Sequence, residues 1–398
     1  MKVTGYRSLR TVHRWGRPVG DVNGVIDCGV TDVPILLLET DGGLTGVGLG
    51  AHDAIERVFP AVDGEDPRAV TSLYDRMLAY VFKAGHTGAT FGTIGALDMA
   101  LWDLKAKMAG EPLWRTLGAR DRFIPGYASG LDYGLDVVEL VELYGRWADL
   151  GFTGAKVKGG LDLPRDVARL QAVREVLLRN SADPAIMYDV NESWGRHQAT
   201  RLLARVESQV ELTWIEEPVR RWDVEGNLAV VRSSTTALAT GENLTGLEQF
   251  RPLVDAGAVD IVQCGSAWGV SHFLRVSALA HAHDLPVSPV GYNANPLTHA
   301  AAAVPNHLVT EVQDLGFPVG LKVDQVIGDG GITLGDEPGL GIEVDEAAIA
   351  EQRDEGSWFL PAGPHVRPQD AGLRLALPHP ASSTGRRSGS TSPTPTAT

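Results

Sequence analysis

Ala185-Ile-Met-Tyr-Asp189, Leu212-Thr-Trp-Ile-Glu216 and Ala237-Leu-Ala-Thr-Gly-Glu242 are three apolar runs, each ending on a lone carboxylate. Each run reads as a buried β-strand. The acids recur about every 26 residues, the length of one strand–helix unit in a parallel barrel. Acids at the C-terminal ends of neighbouring barrel strands converge on one point. Three converging carboxylates repel unless a cation sits among them, and an all-oxygen set suits Mg²⁺. One strand earlier, Lys156-Val157-Lys158 closes another such run. The chain therefore reads as a metal enzyme that handles anions.

Working outward, residues 123 to 318 alternate between strand and helix patterns. Strand candidates begin near 125, 153, 185, 212, 237, 258, 285 and 307, with amphipathic stretches such as 167–180, 197–209 and 271–283 between them. This predicts an α/β fold with a (β/α)8 TIM-type barrel. An open doubly wound sheet is the competing architecture, but no Gly-x-Gly-x-x-Gly follows an early strand. Residues 1–122 read as a separate α+β unit. It contains a strand at 33–40, a turn at Asp41-Gly42-Gly43 into 44–49, and a helix carrying Ile94, Leu97, Leu101, Leu104 and Met108 on one face. Two glycine-bearing segments, 14–30 and 44–54, are expected to be mobile loops over a site on the next domain. Residues 319–360 are expected to return to the first unit. Residues 361–398 are Pro/Ser/Thr-rich and expected to be disordered.

Composition sets bounds. With 398 residues, 43% hydrophobic and 21% charged, the chain is ordinary for a globular protein. A formal charge of −15 argues against nucleic acid as a partner. Only Cys28 and Cys264 are present, so a disulfide framework is not expected and a reducing cytoplasm is the simplest location. Residues 1–10 lack a signal-peptide core, and no run approaches the roughly 20 apolar residues of a membrane span.

The motifs Ala96-Leu-Asp-Met-Ala-Leu-Trp-Asp-Leu104, Lys156-Val-Lys158, Asp189-Val-Asn191, Trp214-Ile-Glu-Glu-Pro218, Gly241-Glu-Asn243 and Ala303-Val-Pro-Asn306 stand in order along the chain. This set resembles the enolase superfamily in its mandelate racemase and muconate-lactonizing branch, over about residues 1 to 350. The resemblance implies an N-terminal α+β capping domain on a modified barrel. It also implies removal of a proton alpha to a carboxylate to give a Mg²⁺-held enediolate. A Lys or His base with Mg²⁺ is the pairing known for this superfamily. A small-molecule carboxylate substrate and a homo-oligomer, dimer or octamer, are implied as well.

By the same resemblance, Asp189, Glu216 and Glu242 are the metal ligands and Lys158 is the base. The plain alternative is solvated acids and lysines at strand ends. Lys156 lies on the same face as Lys158, two residues back, and the repulsion between ammonium groups is expected to lower the base pKa. Asn191 matches a donor to the substrate oxyanion, against a turn-forming Asn. Glu311, at the end of the eighth strand, matches a residue that hydrogen-bonds the substrate carboxylate, against a structural role beside Asp314. Glu217 is expected to point away from Glu216 along an extended strand and to support it. His299 and Cys264 read as structural, while His13, Arg14, Trp15 and Arg17 are open between substrate contact and solvated loop.

The departures from the family pattern are as informative. Val290 stands where relatives carry a His after the seventh strand, and Gly265 where they carry its Asp partner after the sixth. No Lys occurs between Lys158 and Lys322, so the lysine base found after the sixth strand in the muconate-lactonizing subgroup is missing too. Tyr292 is the nearest replacement acid, against a pocket wall. Three functions compete: a one-base lyase acting on an acid sugar; a racemase, epimerase or cycloisomerase using Lys158 with an unorthodox partner; and a metal-binding pseudoenzyme.

Overall fold

The computed structural model describes residues 1–291 and 296–354. Tyr292 and the 361–398 tail, both singled out in the sequence, lie outside the described residues.

Eight parallel strands form the barrel: Phe123–Ser129, Gly154–Lys158, Ala185–Asp189, Trp214–Glu216, Ala237–Thr240, Ile261–Gly265, Val287–Val290 and Thr310–Val312. The eighth pairs with the first, and the seventh meets the chain just before the eighth through Val287 N–H to Asn306 O (2.8 Å) and Leu308 N–H to Val287 O (2.9 Å). Tyr127, Met187, Trp214, Ala239 and Ile261 fill the interior as one buried layer, so the barrel is packed and not a pore.

Helices Val137–Asp149, Leu163–Leu177, Arg196–Glu207, Val224–Ser233, Leu247–Asp255, Val270–His281 and Leu297–Ala301 connect successive strands. Several begin earlier than apolar periodicity suggests, because capping sets the start. The Asp162 side chain accepts from Arg165 N–H, and Pro164 fits the first turn. The eighth strand is followed by no such helix. Instead the hairpin Gln325–Gly328 and Gly331–Leu334 adds antiparallel to the start of the first barrel strand, pairing Gly331 with Pro125. The barrel is modified in this sense.

Strands Val3–Arg14, Val30–Thr40 and Thr45–Leu49 make an antiparallel capping sheet. The first half of the second glycine-bearing segment is thus strand rather than loop. Its glycines serve packing: a Cβ on Gly48 would meet the Ala96 carbonyl oxygen at 2.0 Å, so the strand lies directly on helix Ala89–Ala109. That helix is buried on nearly all sides, not on one face. It is wedged against the barrel, where Asp98 accepts from Ser271 N–H (2.7 Å) and Ser271 Oγ–H (2.5 Å).

The first glycine-bearing segment forms a small hairpin, Val19–Asp21 with Gly24–Ile26, seated on the barrel mouth. Gly20 N–H donates to Leu131 O (2.9 Å) and the Asn23 amide to Asn191 O (3.2 Å). The returning segment touches both layers: Thr11 donates to Val319 O (2.6 Å) and Arg7 pairs with Glu346 (2.7 Å), while Trp114 donates to Gly335 O (2.9 Å). No helix among the described residues is long and apolar enough to cross a membrane.

Candidate active site

Strand register places the chemistry. Lys158 lies beside Asp189, and Asp189 beside Glu216, in one row across the C-terminal ends of the second, third and fourth strands. Glu242 follows the fifth strand, two residues beyond Thr240. Lys156, Lys158, Asp189, Glu216 and Glu311 are all buried, and the sequence-predicted ligands and lysines do come together. Lys158 Nζ lies 2.5 Å from Asp189 Oδ2. Lys156 Nζ lies 2.5 Å from Glu216 Oε1, 2.9 Å from Glu311 and 3.6 Å from Asp189.

The carboxylates outnumber the ammonium groups. Burial is the largest single influence on Lys158 and would depress it, but Asp189, Glu242 and Glu216 together outweigh burial and raise its pKa. Lys156 is raised for the same reason, by Glu216 and Glu311. Mutual repulsion between the lysines, argued from the sequence, is therefore outweighed in this arrangement. Burial, then the charge of Asp189, pushes Glu216 up to about 8. Burial also raises Glu217 and Glu242, with the neighbouring Glu242 and Asp189 adding to it respectively.

Among the described residues, no three acidic, His or Cys side chains close on a common point at ligating distance, because the lysine ammoniums lie between them. A divalent cation nonetheless fits this donor set. The groups are oxygen donors and sit at one end of the barrel; burial first, and then the charge of Asp189, raises Glu216 and Glu242, and a cation would relieve both effects.

Local backbone is bent to present these groups. Asn191, Glu192 and Glu217 adopt left-handed backbone, with φ of 43°, 59° and 43°. Glu217 is therefore not governed by strand alternation, as the sequence reading assumed. Its carboxylate accepts from the Asn243 amide (3.2 Å), which also donates to Glu242 (3.0 Å). Asn191 N–H donates to Asp189 Oδ1 (2.9 Å), and its side-chain Oδ1 has no hydrogen-bond partner. Glu311 is held by Gly291 N–H and the Gln313 amide, both at 2.9 Å, and by Lys156. It does not line the cavity.

That cavity, of about 260 Å³, opens between the barrel mouth and the hairpin. Lys158, Asn191 and Glu242 form one side. Gly265 and Val290, paired at the ends of the sixth and seventh strands, form the other with Trp268. The second and sixth strands lie opposite in an eight-stranded barrel, so Lys158 faces a wall that carries no acid or base among the described residues.

Sequence reasoning missed several supports. Gln263 (2.8 Å) and Trp214 (3.0 Å) both donate to Glu216 Oε2. Each sits two residues before a mouth residue, and a Gln inside an apolar strand was a usable signal. Asp132 accepts from Lys158 N–H (3.1 Å), Arg169 (2.5 Å) and Tyr144 (2.5 Å), all buried. Trp268 donates to Glu242 O (2.6 Å). The structural readings agree with what is seen at His299, which accepts from Trp114 N–H (3.2 Å), and at Cys264, 3.3 Å from His272. His13 pairs with Asp314 at 2.7 Å and Arg14 with Gln352, while the Trp15 indole donates to Thr31 (2.9 Å).

A capped barrel with oxygen donors and lysines at its C-terminal mouth defines a class: barrel enzymes built for a divalent cation and an anionic substrate. Residues 139–348 match the family described as Enolase C-terminal domain-like, and residues 28–118 the mandelate racemase / muconate lactonizing enzyme N-terminal domain. The 3,6-anhydro-alpha-L-galactonate cycloisomerase of Streptomyces coelicolor is 34% identical over 71% of this chain and 78% of its own. The L-talarate/galactarate dehydratase of Salmonella typhimurium is 32% identical over 80% and 82%. A racemase from Streptomyces coelicolor, crystallised with bound magnesium, superposes with a TM-score of 0.80 at 29% identity, covering 88% of this chain and 99% of that one. The chain belongs to the enolase superfamily, in its mandelate racemase and muconate-lactonizing branch.

Proposed function

We propose that this protein is a Mg²⁺-dependent acid-sugar dehydratase in which Lys158 removes the proton alpha to the substrate carboxylate. The observation that carries the reading is the asymmetry of the cavity: one ammonium side chain on one wall, and Gly265, Val290 and Trp268 on the other. Asp189, Glu216 and Glu242 would hold the Mg²⁺, which when bound supplies the positive charge that stabilises an enediolate and lets Lys158 give up its ion pair.

Lys158, neutral, takes the alpha proton, and the C–H electrons move into the enediolate. The Asn191 amide, on the same wall, would donate to the developing oxyanion. Lys156 is the electrostatic partner of Lys158, with Glu311 anchoring it. The enediolate then expels the β-hydroxyl. A leaving group on the Lys158 face takes back the abstracted proton and departs as water, so no second acid is required. The enol left behind tautomerises to a 2-keto-3-deoxy acid.

The similarity to a cycloisomerase favours a second reading with the same electron flow. Where the β-oxygen belongs to an ether ring, elimination opens the ring and the product is an isomer of the substrate. A two-base racemase needs an acid on the opposite wall. None lines it among the described residues, which leaves Tyr292 as the acid for that reading.

With Mg²⁺ and a panel of acid sugars, Lys158→Ala is expected to lose about 10²–10⁴-fold in kcat/KM, measured by keto-acid release and by solvent deuterium at the alpha carbon. A Lys158→Ala protein as active as the parent would make catalysis through this site untenable, and a parent that binds acid sugars without turning any over would leave the pseudoenzyme reading standing. Mass spectrometry separates loss of water from isomerisation. We further propose a cytoplasmic homo-oligomer, dimer or octamer. The unpaired Cys28 and Cys264 support the location, and light scattering tests the assembly.

A further inference from the structure

The two oxygens of Glu216 face different kinds of donor. Oε1 meets a charge, the Lys156 ammonium at 2.5 Å. Oε2 meets two neutral N–H groups, the Gln263 amide at 2.8 Å and the Trp214 indole at 3.0 Å. All four side chains are fully buried. Building on the proposed Mg²⁺ chemistry, we infer that Gln263 and Trp214 are positioning residues that hold Oε2 out of the metal shell. Glu216 then offers a cation one oxygen only. Such a site favours Mg²⁺ over Ca²⁺, which has the larger shell and readily accepts both oxygens of a carboxylate.

The donors differ in what they can give up. An ammonium gives way to a cation by charge repulsion, and Lys156 keeps Glu311 at 2.9 Å when it leaves Oε1. The neutral donors carry no charge to be repelled. Trp214 precedes Glu216 by two residues on the fourth strand, so both side chains face inward. Its ring stands edge-on to Tyr127 with centroids 5.3 Å apart, inside the buried layer of the barrel. Gln263 comes from the sixth strand. Between it and Glu216 the fifth strand sets Ala239, paired with Glu216 on one side and with Ile261 on the other, so the amide has only a methyl group to pass. Gln263 Oε1 has no hydrogen-bond partner. Burying an amide with one end unpaired is costly, and this one is buried with its donor end on the carboxylate. Turning it over would set oxygen against oxygen.

The test is calorimetric titration of Mg²⁺, and separately of Ca²⁺, into chelator-treated full-length protein without substrate. Gln263→Leu removes the amide at similar volume. Trp214→Phe removes the indole N–H and keeps a ring against Tyr127. Each variant is expected to move the ratio of Ca²⁺ to Mg²⁺ affinity toward Ca²⁺ by at least about tenfold, the scale on which groups behind a metal ligand act. A merely structural role would weaken both ions together. A ratio unmoved in either variant that folds therefore overturns the inference. Should neither fold, the two donors serve the core and the inference falls. A parent that binds no Mg²⁺ sinks the proposed function and the inference with it. A parent with Mg²⁺-dependent turnover, and variants with the parent's ratio, loses the inference alone.

Discussion

Gly265 has no room for a side chain. A Cβ there would meet the Glu242 carbonyl oxygen at 2.5 Å and Trp268 Nε1 at 2.9 Å, the two atoms joined by the indole hydrogen bond. Backbone on one side and a packed indole on the other cannot yield cheaply. Gly265→Ala is therefore expected to displace Glu242, lowering kcat/KM by more than tenfold and costing about 1–3 kcal/mol in urea denaturation. Gly265→Asp, which restores the residue type of related enzymes, is expected to be worse and to create no second base. At this scale the sequence was legible where side-chain type and spacing carry the chemistry, as at Asp189, Glu216, Glu242 and Lys158. It was illegible where a residue acts through a neighbour distant in sequence. Nothing around Gly265 in the chain announces the Glu242 carbonyl against it, and the left-handed Glu217 defeats any argument from strand alternation.

Between elements, Asp132 ties the loop after the first strand to the second strand and to helix Leu163–Leu177. It accepts from Lys158 N–H, while Arg169 donates to its carboxylate (2.5 Å), to its carbonyl (2.9 Å) and to Leu135 O (2.5 Å). Both side chains are fully buried. Arg169→Leu would strand a carboxylate out of water, and an unpaired buried charge of this kind costs about 3–5 kcal/mol. Asp132→Leu is expected to cost a similar amount. The Asp132→Leu/Arg169→Leu double variant is expected to recover part of the loss, a coupling that a double-mutant cycle in urea measures. Buried pairs of this sort leave a weak trace in sequence. Asp132 reads as a loop acid, and Arg169 as one more charged residue on an amphipathic helix whose buried face would be assigned to Val167, Leu170 and Val173.

For the whole molecule, acid is the condition to watch. Burial lowers His272 to about 3 and His299 and His307 to about 4. Each binds its proton more readily unfolded, near pH 6.5, than folded. Their neutral state therefore stabilises the fold fully above about pH 6.5, and that stability drains as pH falls toward their folded values. For His299 alone the loss by pH 5 is roughly 2 kcal/mol. The melting temperature is expected to fall between pH 7 and pH 5, and His299→Gln to flatten that slope. A melting temperature that stayed constant over this range would contradict the burial of these rings. The overall architecture was readable because eight apolar runs at regular spacing admit few topologies. What the spacing did not show is the hairpin 325–334 on the first strand, since its pairing depends on residues about 200 positions away.

The left-handed backbone at Asn191, Glu192 and Glu217 has one more consequence. Glycine takes that conformation freely, whereas the two glutamates hold it at a cost of about 1–2 kcal/mol each and Asn191 at less. A lineage relieved of its reaction would drift toward glycine here and grow sturdier. These three positions therefore keep a running record of whether this chain is still being used as a catalyst.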